Sequence, residues 1–288
     1  MATSRPIQNI IEPQFVIEGA GVRLRRSIAP HARNEFDPFL LFDHFAFNDP
    51  IEGPIRGFPM HPHRGIETVT YMLEGSVHHR DSLGNAGLIG PGDVQWMTSG
   101  RGILHEEMPR RGENGNIYGF QLWVNLPASL KMTQPRYQEV IAKDIPLAKK
   151  DGVSIRVVAG QSAGVTGPVA EIAASPLYLE VHLDPDTHWQ QPISSSHTTL
   201  AYVFDGEAVF SDNPESISTN TISAVRMIRF GPGDEIQVRT ENQSVRFMLM
   251  SGAPFGEPIV PYGPFVMNTR EEIQQALDDL RNGTFVQT

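Results

Sequence analysis

Short apolar or alternating runs recur along the chain, each closed by glycine or proline. Residues 67–73, 94–97, 117–124, 154–158, 177–183, 200–204, 224–230 and 245–250 have the length and the β-branched or aromatic content of strands. Their regular beat predicts an all-β protein of sandwiches or barrels. One helix is predicted, at about 270–282. Thr269 and Glu272 form a capping-box pattern, Ile273, Ala276, Leu277 and Leu280 make an apolar stripe at helical spacing, and Gly283 sits where a C-terminal cap belongs. A second, shorter helix is expected over 147–151.

The strand pattern occurs twice. Gly90-Pro91-Gly92-Asp93 returns as Gly231-Pro232-Gly233-Asp234, and Thr70-Tyr71-Met72-Leu73-Glu74-Gly75 as Ala201-Tyr202-Val203-Phe204-Asp205-Gly206. Duplication of one β-domain accounts for this. Pro127, Pro135 and Pro146 interrupt the pattern between the copies, so the expected domains are 1–135 and 136–288, the second ending in the helix.

Composition narrows the chemistry. The chain has 288 residues, enough for two domains of ordinary size, and 40% of them are hydrophobic. A formal net charge of −10 disfavours direct nucleic-acid binding. The most basic stretch, Arg23-Leu24-Arg25-Arg26, reads as a solvated strand edge. There is no cysteine, so disulfides, thiolate metal sites and cysteine nucleophiles are excluded. Residues 1–15 lack a basic start followed by an apolar run, and no stretch approaches the ~18 apolar residues of a membrane span. A cytoplasmic monomer without membrane attachment is the expectation.

The candidate chemistry lies in two segments, His61-Pro62-His63 and His105-Glu106-Glu107. Each places two ligand-type side chains one residue apart, on the same face of a strand. Two such strands facing each other would bring three imidazoles and a carboxylate to one point. That set suits a first-row transition metal, with iron(II) the leading choice. Four protein ligands would leave up to two positions open, which favours a reactive site over a closed structural one. Glu107 is preferred as the acid. Glu67 shares the parity of His63 and remains an alternative ligand or a supporting group.

Other residues near these segments carry less. His78 and His79 are adjacent, so they face opposite ways, and both read as surface or rim. His31, His44, His182, His188 and His197 are isolated and are given no function. Phe39, Phe42, Phe45, Phe47, Phe58, Met60, Trp96, Met97 and Met108 read mostly as barrel core, with some lining a dry pocket for a flat aromatic ligand. In the second copy, Pro192, Ser194, Arg246 and Met248 stand where His61, His63, His105 and Glu107 stand in the first, so that half is expected to keep only the scaffold.

Three long motifs resemble the pirin family. They are Phe36-Asp37-Pro38-Phe39-Leu40-Leu41-Phe42-Asp43, Phe58-Pro59-Met60-His61-Pro62-His63-Arg64-Gly65-Ile66-Glu67-Thr68, and Ser99-Gly100-Arg101-Gly102-Ile103-Leu104-His105-Glu106-Glu107-Met108-Pro109. The segments 121–127, 256–260 and 263–269 fit as well. The resemblance implies two tandem cupin barrels of jelly-roll type with a metal, iron, in the N-terminal one only. Carried over by motif, the metal ligands are His61, His63, His105 and Glu107, and Glu67 is not a ligand.

The resemblance implies two functions from different classes. The first is a quercetin 2,3-dioxygenase, in which the metal takes the flavonol, O2 attacks the activated ring, and Glu107 accepts the hydroxyl proton as the catalytic residue. The second is a redox-sensing metal protein that binds a transcription factor or a metabolic enzyme, with loops near Arg64 and Arg101 responding to the metal's charge.

Overall fold

The computed structural model describes residues 2–46, 56–213, 215–218 and 221–287. Every predicted strand forms with edges within four residues of those expected: 67–73 widens to Ile66–Glu74 and 200–204 to Thr198–Ala208, whereas 224–230 begins only at Arg226. The described residues are all-β apart from short 3-10 turns and the helix Arg270–Asn282. Among the described residues no helix is long and apolar enough to cross a membrane.

Two compact units form, and neither is one continuous stretch. One comprises residues 14–142 with 255–288, the other residues 1–13 with 143–254. The expected single cut between 135 and 136 does not describe this interleaving. The N-terminal strand Ile7–Ile11 pairs with Arg226–Phe230, and the C-terminal helix belongs with residues 14–142. Pattern along a chain reports which segments are strands, whereas the choice of partner is made by register and packing between distant segments.

The unit of residues 14–142 and 255–288 holds a seven-stranded and a four-stranded antiparallel sheet. The seven strands run in the order Arg136–Val140, Val94–Thr98, Ile66–Glu74, Tyr118–Asn125, Phe39–Ala46, Val22–Ile28, Gln14–Glu18. The four run Phe58–His63, Ile103–Arg110, Ser76–Asp81, Ala86–Ile89. Side chains from both sheets, including Leu24, Phe45, Met72, Val77 and Ile89, share one buried cluster, as two packed inner faces require. The basic stretch 23–26 lies in the strand next to the edge. Its Leu24 is buried and its Arg26 is engaged by two carboxylates, so the reading as a wholly solvated edge is corrected.

The C-terminal helix begins and ends as its sequence predicts. The Thr269 hydroxyl accepts from the Glu272 backbone N–H at 3.1 Å, and the Glu272 carboxylate accepts from the Thr269 N–H at 2.9 Å. Gly283 closes the helix with φ of 70°. Ile273 and Ala276 bury their side chains with Phe265, Met267 and Phe285.

The unit of residues 1–13 and 143–254 is built on an eight-stranded sheet around an apolar core that includes Leu179, Val181, Phe210, Ile228 and Phe247. The helix expected over 147–151 is instead the strand Leu147–Lys150, paired with Val153–Ala159. Four residues are too few to hold a helix alone, and a neighbouring strand offers the backbone its hydrogen bonds. The repeat seen in sequence is structural. Gly75, just after Ile66–Glu74, and Gly206, within Thr198–Ala208, both take left-handed φ values, 70° and 68°, a conformation that favours glycine.

Candidate metal centre

The strands Phe58–His63 and Ile103–Arg110 are hydrogen-bonded neighbours in one sheet, not opposing walls. His61 lies directly across from His105, and His63 across from Ile103. The register then shifts, so that Glu107 stands opposite Phe58. The i, i+2 spacing and the side-by-side pairing together converge the three imidazoles. Their ring centroids lie 4.4 to 4.9 Å apart, and one nitrogen from each falls within 4.8 Å of the others. Among the described residues, Glu107 is not part of that converging group.

The tautomers of His61 and His63 follow from their partners. His61 Nδ1 lies 2.9 Å from the Pro59 carbonyl oxygen, and His63 Nδ1 lies 3.2 Å from that of Pro264. A carbonyl oxygen only accepts, so each Nδ1 carries the proton and donates. Each Nε2 is then left with a lone pair, yet the two Nε2 atoms face each other at 3.1 Å. Two lone pairs at that distance require a positive charge between them, from a proton on one ring or from a metal. His105 decides between these options on physical grounds, because both of its ring nitrogens are buried without a hydrogen-bond partner. One proton cannot serve three rings, whereas one cation can. Backbone carbonyls holding the far nitrogens are also the usual support of metal-binding histidines. The residues therefore fit a metal. Burial, and then the neighbouring His105 and His61 rings, hold the His63 pKa well below its ordinary value; burial, His61 and His79 do the same for His105. Both stay neutral, as ligation demands.

Glu107 points to the same side of its strand as His105, and its charge acts on His63. Its carboxylate is held from the other side. Gln121 Nε2 donates to both oxygens at 3.0 Å, and the Thr70 hydroxyl donates to one at 3.0 Å. These two residues belong to a cross-strand row on the inner face of the seven-stranded sheet. Arg26 opposes Asp43, Asp43 opposes Gln121, Gln121 opposes Thr70, and Thr70 opposes Gln95. Directly opposed residues share a face, so five polar side chains cross five strands at one level. Gln95 continues the chain by donating to His79 Nδ1 at 3.0 Å.

His79 was expected at the surface and is instead fully buried, with its ring 5.3 Å from that of His105. It pairs across the ladder with Glu107, which turns it inward. Its neighbour His78 faces the other way, as alternation requires. Glu67 lies on the face away from the histidines. It pairs with Thr98, whose hydroxyl donates to it at 2.8 Å, whereas Thr70, on the opposite parity, reaches Glu107. Gly65 interrupts the alternation counted from His63. Burial raises the Glu67 pKa to about 7.

The loop after His63 is pinned. Gly65 has φ of 79°, and a Cβ there would run into the Val266 carbonyl. Lys131 is buried and donates to the carbonyl oxygens of Gly65 at 2.8 Å and Val266 at 2.6 Å, and to Asn125 Oδ1 at 2.6 Å. Burial lowers its pKa to about 7. Arg64, also buried, donates to Asp279 at 2.7 Å and to the Arg101 carbonyl at 2.6 Å, so the C-terminal helix is tied to the histidine strand.

His61 and His63 open onto a cavity of about 380 Å³, whose apolar wall includes Leu41, Phe58 and Trp123 and whose polar wall includes Glu18, Arg26 and Asp43. Glu107 lines a smaller, mostly apolar cavity that shares Asp43, Phe58 and Gln121 with the first. Of the aromatic and methionine residues picked from sequence, Phe58 lines both. Phe45 is buried and lines the smaller one, Phe39, Phe42, Trp96 and Met97 are core, Met60 and Met108 are exposed, and Phe47 lies outside the described residues. Trp123, edge-on to His63 at 5.1 Å, was not singled out in sequence.

Comparison with known proteins agrees with this architecture. The sequence matches the family Pirin over residues 21–124 and the Pirin C-terminal cupin domain over residues 178–286. The chain belongs to the pirin family. A pirin-like protein of Caulobacter vibrioides is 42% identical to it over 98% of this chain and 99% of the relative. A Pseudomonas aeruginosa protein, provisionally named a quercetin 2,3-dioxygenase, is 44% identical over 92% of this chain and 93% of its own length. The crystal structure of a quercetin 2,3-dioxygenase from Acinetobacter baumannii superposes with a TM-score of 0.86 at 34% identity, covering 98% of each chain. This pirin-family chain is thus a bicupin, with the histidine cluster in the unit that contains residues 14–142.

Proposed function

We propose that the protein is a metal-dependent dioxygenase that opens flavonols such as quercetin with O2. It would hold one transition metal ion, iron(II), on His61, His63, His105 and Glu107, a set of nitrogen and oxygen donors that suits such an ion. The observation that carries the reading is the convergence of three imidazoles, two of which turn their lone pairs inward and line a cavity within the size range of small-molecule sites. The names of the Pseudomonas and Acinetobacter relatives support the same reaction.

When bound, the metal would acidify a coordinated flavonol hydroxyl and bring O2 and the ring to one centre. The protein's own groups do the rest. The Pro59 and Pro264 carbonyls keep His61 and His63 in the ligating tautomer. Phe58 and Trp123 flank a flat ring and exclude water from it. Glu107 accepts the hydroxyl proton on a carboxylate oxygen, while Gln121 and Thr70 hold that carboxylate in place. The ring carbon leaves as carbon monoxide, the remainder forms the depside, and no external reductant is needed. The histidines face a hollow, which suits a small ligand better than a protein partner.

The test is to load the protein with iron(II) without air and then add quercetin and O2. Carbon monoxide release together with flavonol loss, above that of free iron, is the expected result. Absence of both carbon monoxide release and flavonol loss above free iron would remove the dioxygenase reading.

A further inference from the structure

The outer end of the polar row has no part in holding Glu107 or the histidines. There, Arg26 Nε and Nη2 donate to the two oxygens of Asp43 at 2.8 and 2.7 Å, and Nη1 donates to Glu18 at 2.6 Å. All three residues line the cavity onto which His61 and His63 open. Two carboxylates face one guanidinium, so this wall carries a surplus of one formal negative charge. Three of the guanidinium's five hydrogens are turned to the carboxylates. Ionised carboxylates only accept, and each oxygen has room for more than one hydrogen bond. The Asp43 side chain is 5% exposed and Glu18 41%, so one acceptor is shielded and the other faces the opening.

We infer that Glu18, Arg26 and Asp43 form a specificity wall that selects ligands by phenolic hydroxyl groups on the ring remote from the metal, and rejects ligands that carry a carboxylate there. The inference rests on the proposed flavonol site and specifies which substituents that site reads. A hydroxyl donates to the wall's spare lone pairs, and hydrogen bonds to charged groups are the stronger kind. A carboxylate would bring a second negative charge against an already negative wall in a partly dry cavity, with no hydrogen to donate. Arg26 is a poor anion receptor, because Asp43 and Glu18 more than balance its charge and engage three of its five N–H groups. The apolar walls made by Leu41, Phe58 and Trp123 accept the ring itself without regard to its substituents, so discrimination falls to the polar side.

The test is a binding series under argon with the full chain loaded with iron(II), read by calorimetry so that turnover is not needed. The ligands are flavonols with no, one or two hydroxyls on the pendant ring, and one with a carboxylate there. The expected result is about tenfold tighter binding for the first hydroxyl added, the worth of one hydrogen bond to a charged group, and the weakest binding for the carboxylate. Glu18→Gln, at a partly exposed position that spares the buried pair, should shrink the hydroxyl gain and relieve the carboxylate penalty. Binding that ignores hydroxyl number, a carboxylated ligand that binds as well as its hydroxylated counterpart, an unchanged pattern in Glu18→Gln, or no ligand binding at all would each overturn the inference. Hydroxyl-graded binding without carbon monoxide release would leave it standing and remove the dioxygenase reading. Ring opening without hydroxyl grading would do the reverse.

Discussion

Gln121 holds Glu107 by both carboxylate oxygens, with its Nε2 3.0 Å from each. The two residues come from different sheets, so this contact fixes the acid relative to the histidines on its own strand. It also makes Gln121 a positioning residue that can be tested apart from the metal ligands.

Gln121→Leu keeps the side-chain volume and removes the donor. Loss of a hydrogen bond to a charged group is worth about 1.5–3 kcal/mol, so kcat for flavonol opening should fall roughly ten- to hundredfold. Metal content should stay near that of the parent, because the three imidazoles are untouched. Parallel metal analysis and steady-state kinetics check this, and an unchanged kcat would remove Gln121 from the account.

Glu67 should leave a pH signature in stability. Its pKa is raised to about 7 in the folded chain, from an ordinary value of 4.5, chiefly by burial. The folded state therefore binds more protons than the unfolded state between those values. The stabilisation is fully present below about pH 4.5 and is lost as pH rises to about 7. Glu67→Gln, which stays neutral, should lack that decline, and its stability relative to the parent should grow by up to about 3 kcal/mol across the window. Urea unfolding of both proteins at pH 5 and 7.5 measures the difference. Parallel pH profiles would contradict it.

Lys131 joins three acceptors, the carbonyl oxygens of Gly65 and Val266 and the Asn125 side chain. Lys131→Met retains the length and withdraws the donors, leaving three buried acceptors unpaired. The expected loss is about 2–4 kcal/mol in unfolding free energy, from the penalty of unsatisfied buried groups. Iron(II) affinity should weaken with it, because the Gly65 loop follows His63. A variant as stable as the parent would show that other contacts hold the loop.

Much of this site can be read from residue spacing, and the rest depends on register. His61, His63 and His105 are legible because i, i+2 spacing states which side chains share a strand face. The same spacing puts Glu107 on the side of its strand that His105 faces, but it does not show the register shift beside it or its capture by Gln121 and Thr70, which leave it outside the converging group. His79 was misplaced because the pair His78-His79 says only that the two face opposite ways; pairing with Glu107 decides which one turns inward. The row Arg26, Asp43, Gln121, Thr70, Gln95 draws one residue from each of five strands, so no local pattern betrays it. The C-terminal helix could be placed to the residue from its caps, whereas the unit it belongs to could not.

The most direct measurement is an anaerobic iron(II) titration of the metal-free chain by equilibrium dialysis, beside His63→Ala and His105→Ala. The account predicts one iron per chain in the parent and a large loss of affinity in each variant, with folding preserved by circular dichroism. Iron bound equally well by the parent and by both variants would place the metal elsewhere and contradict the account.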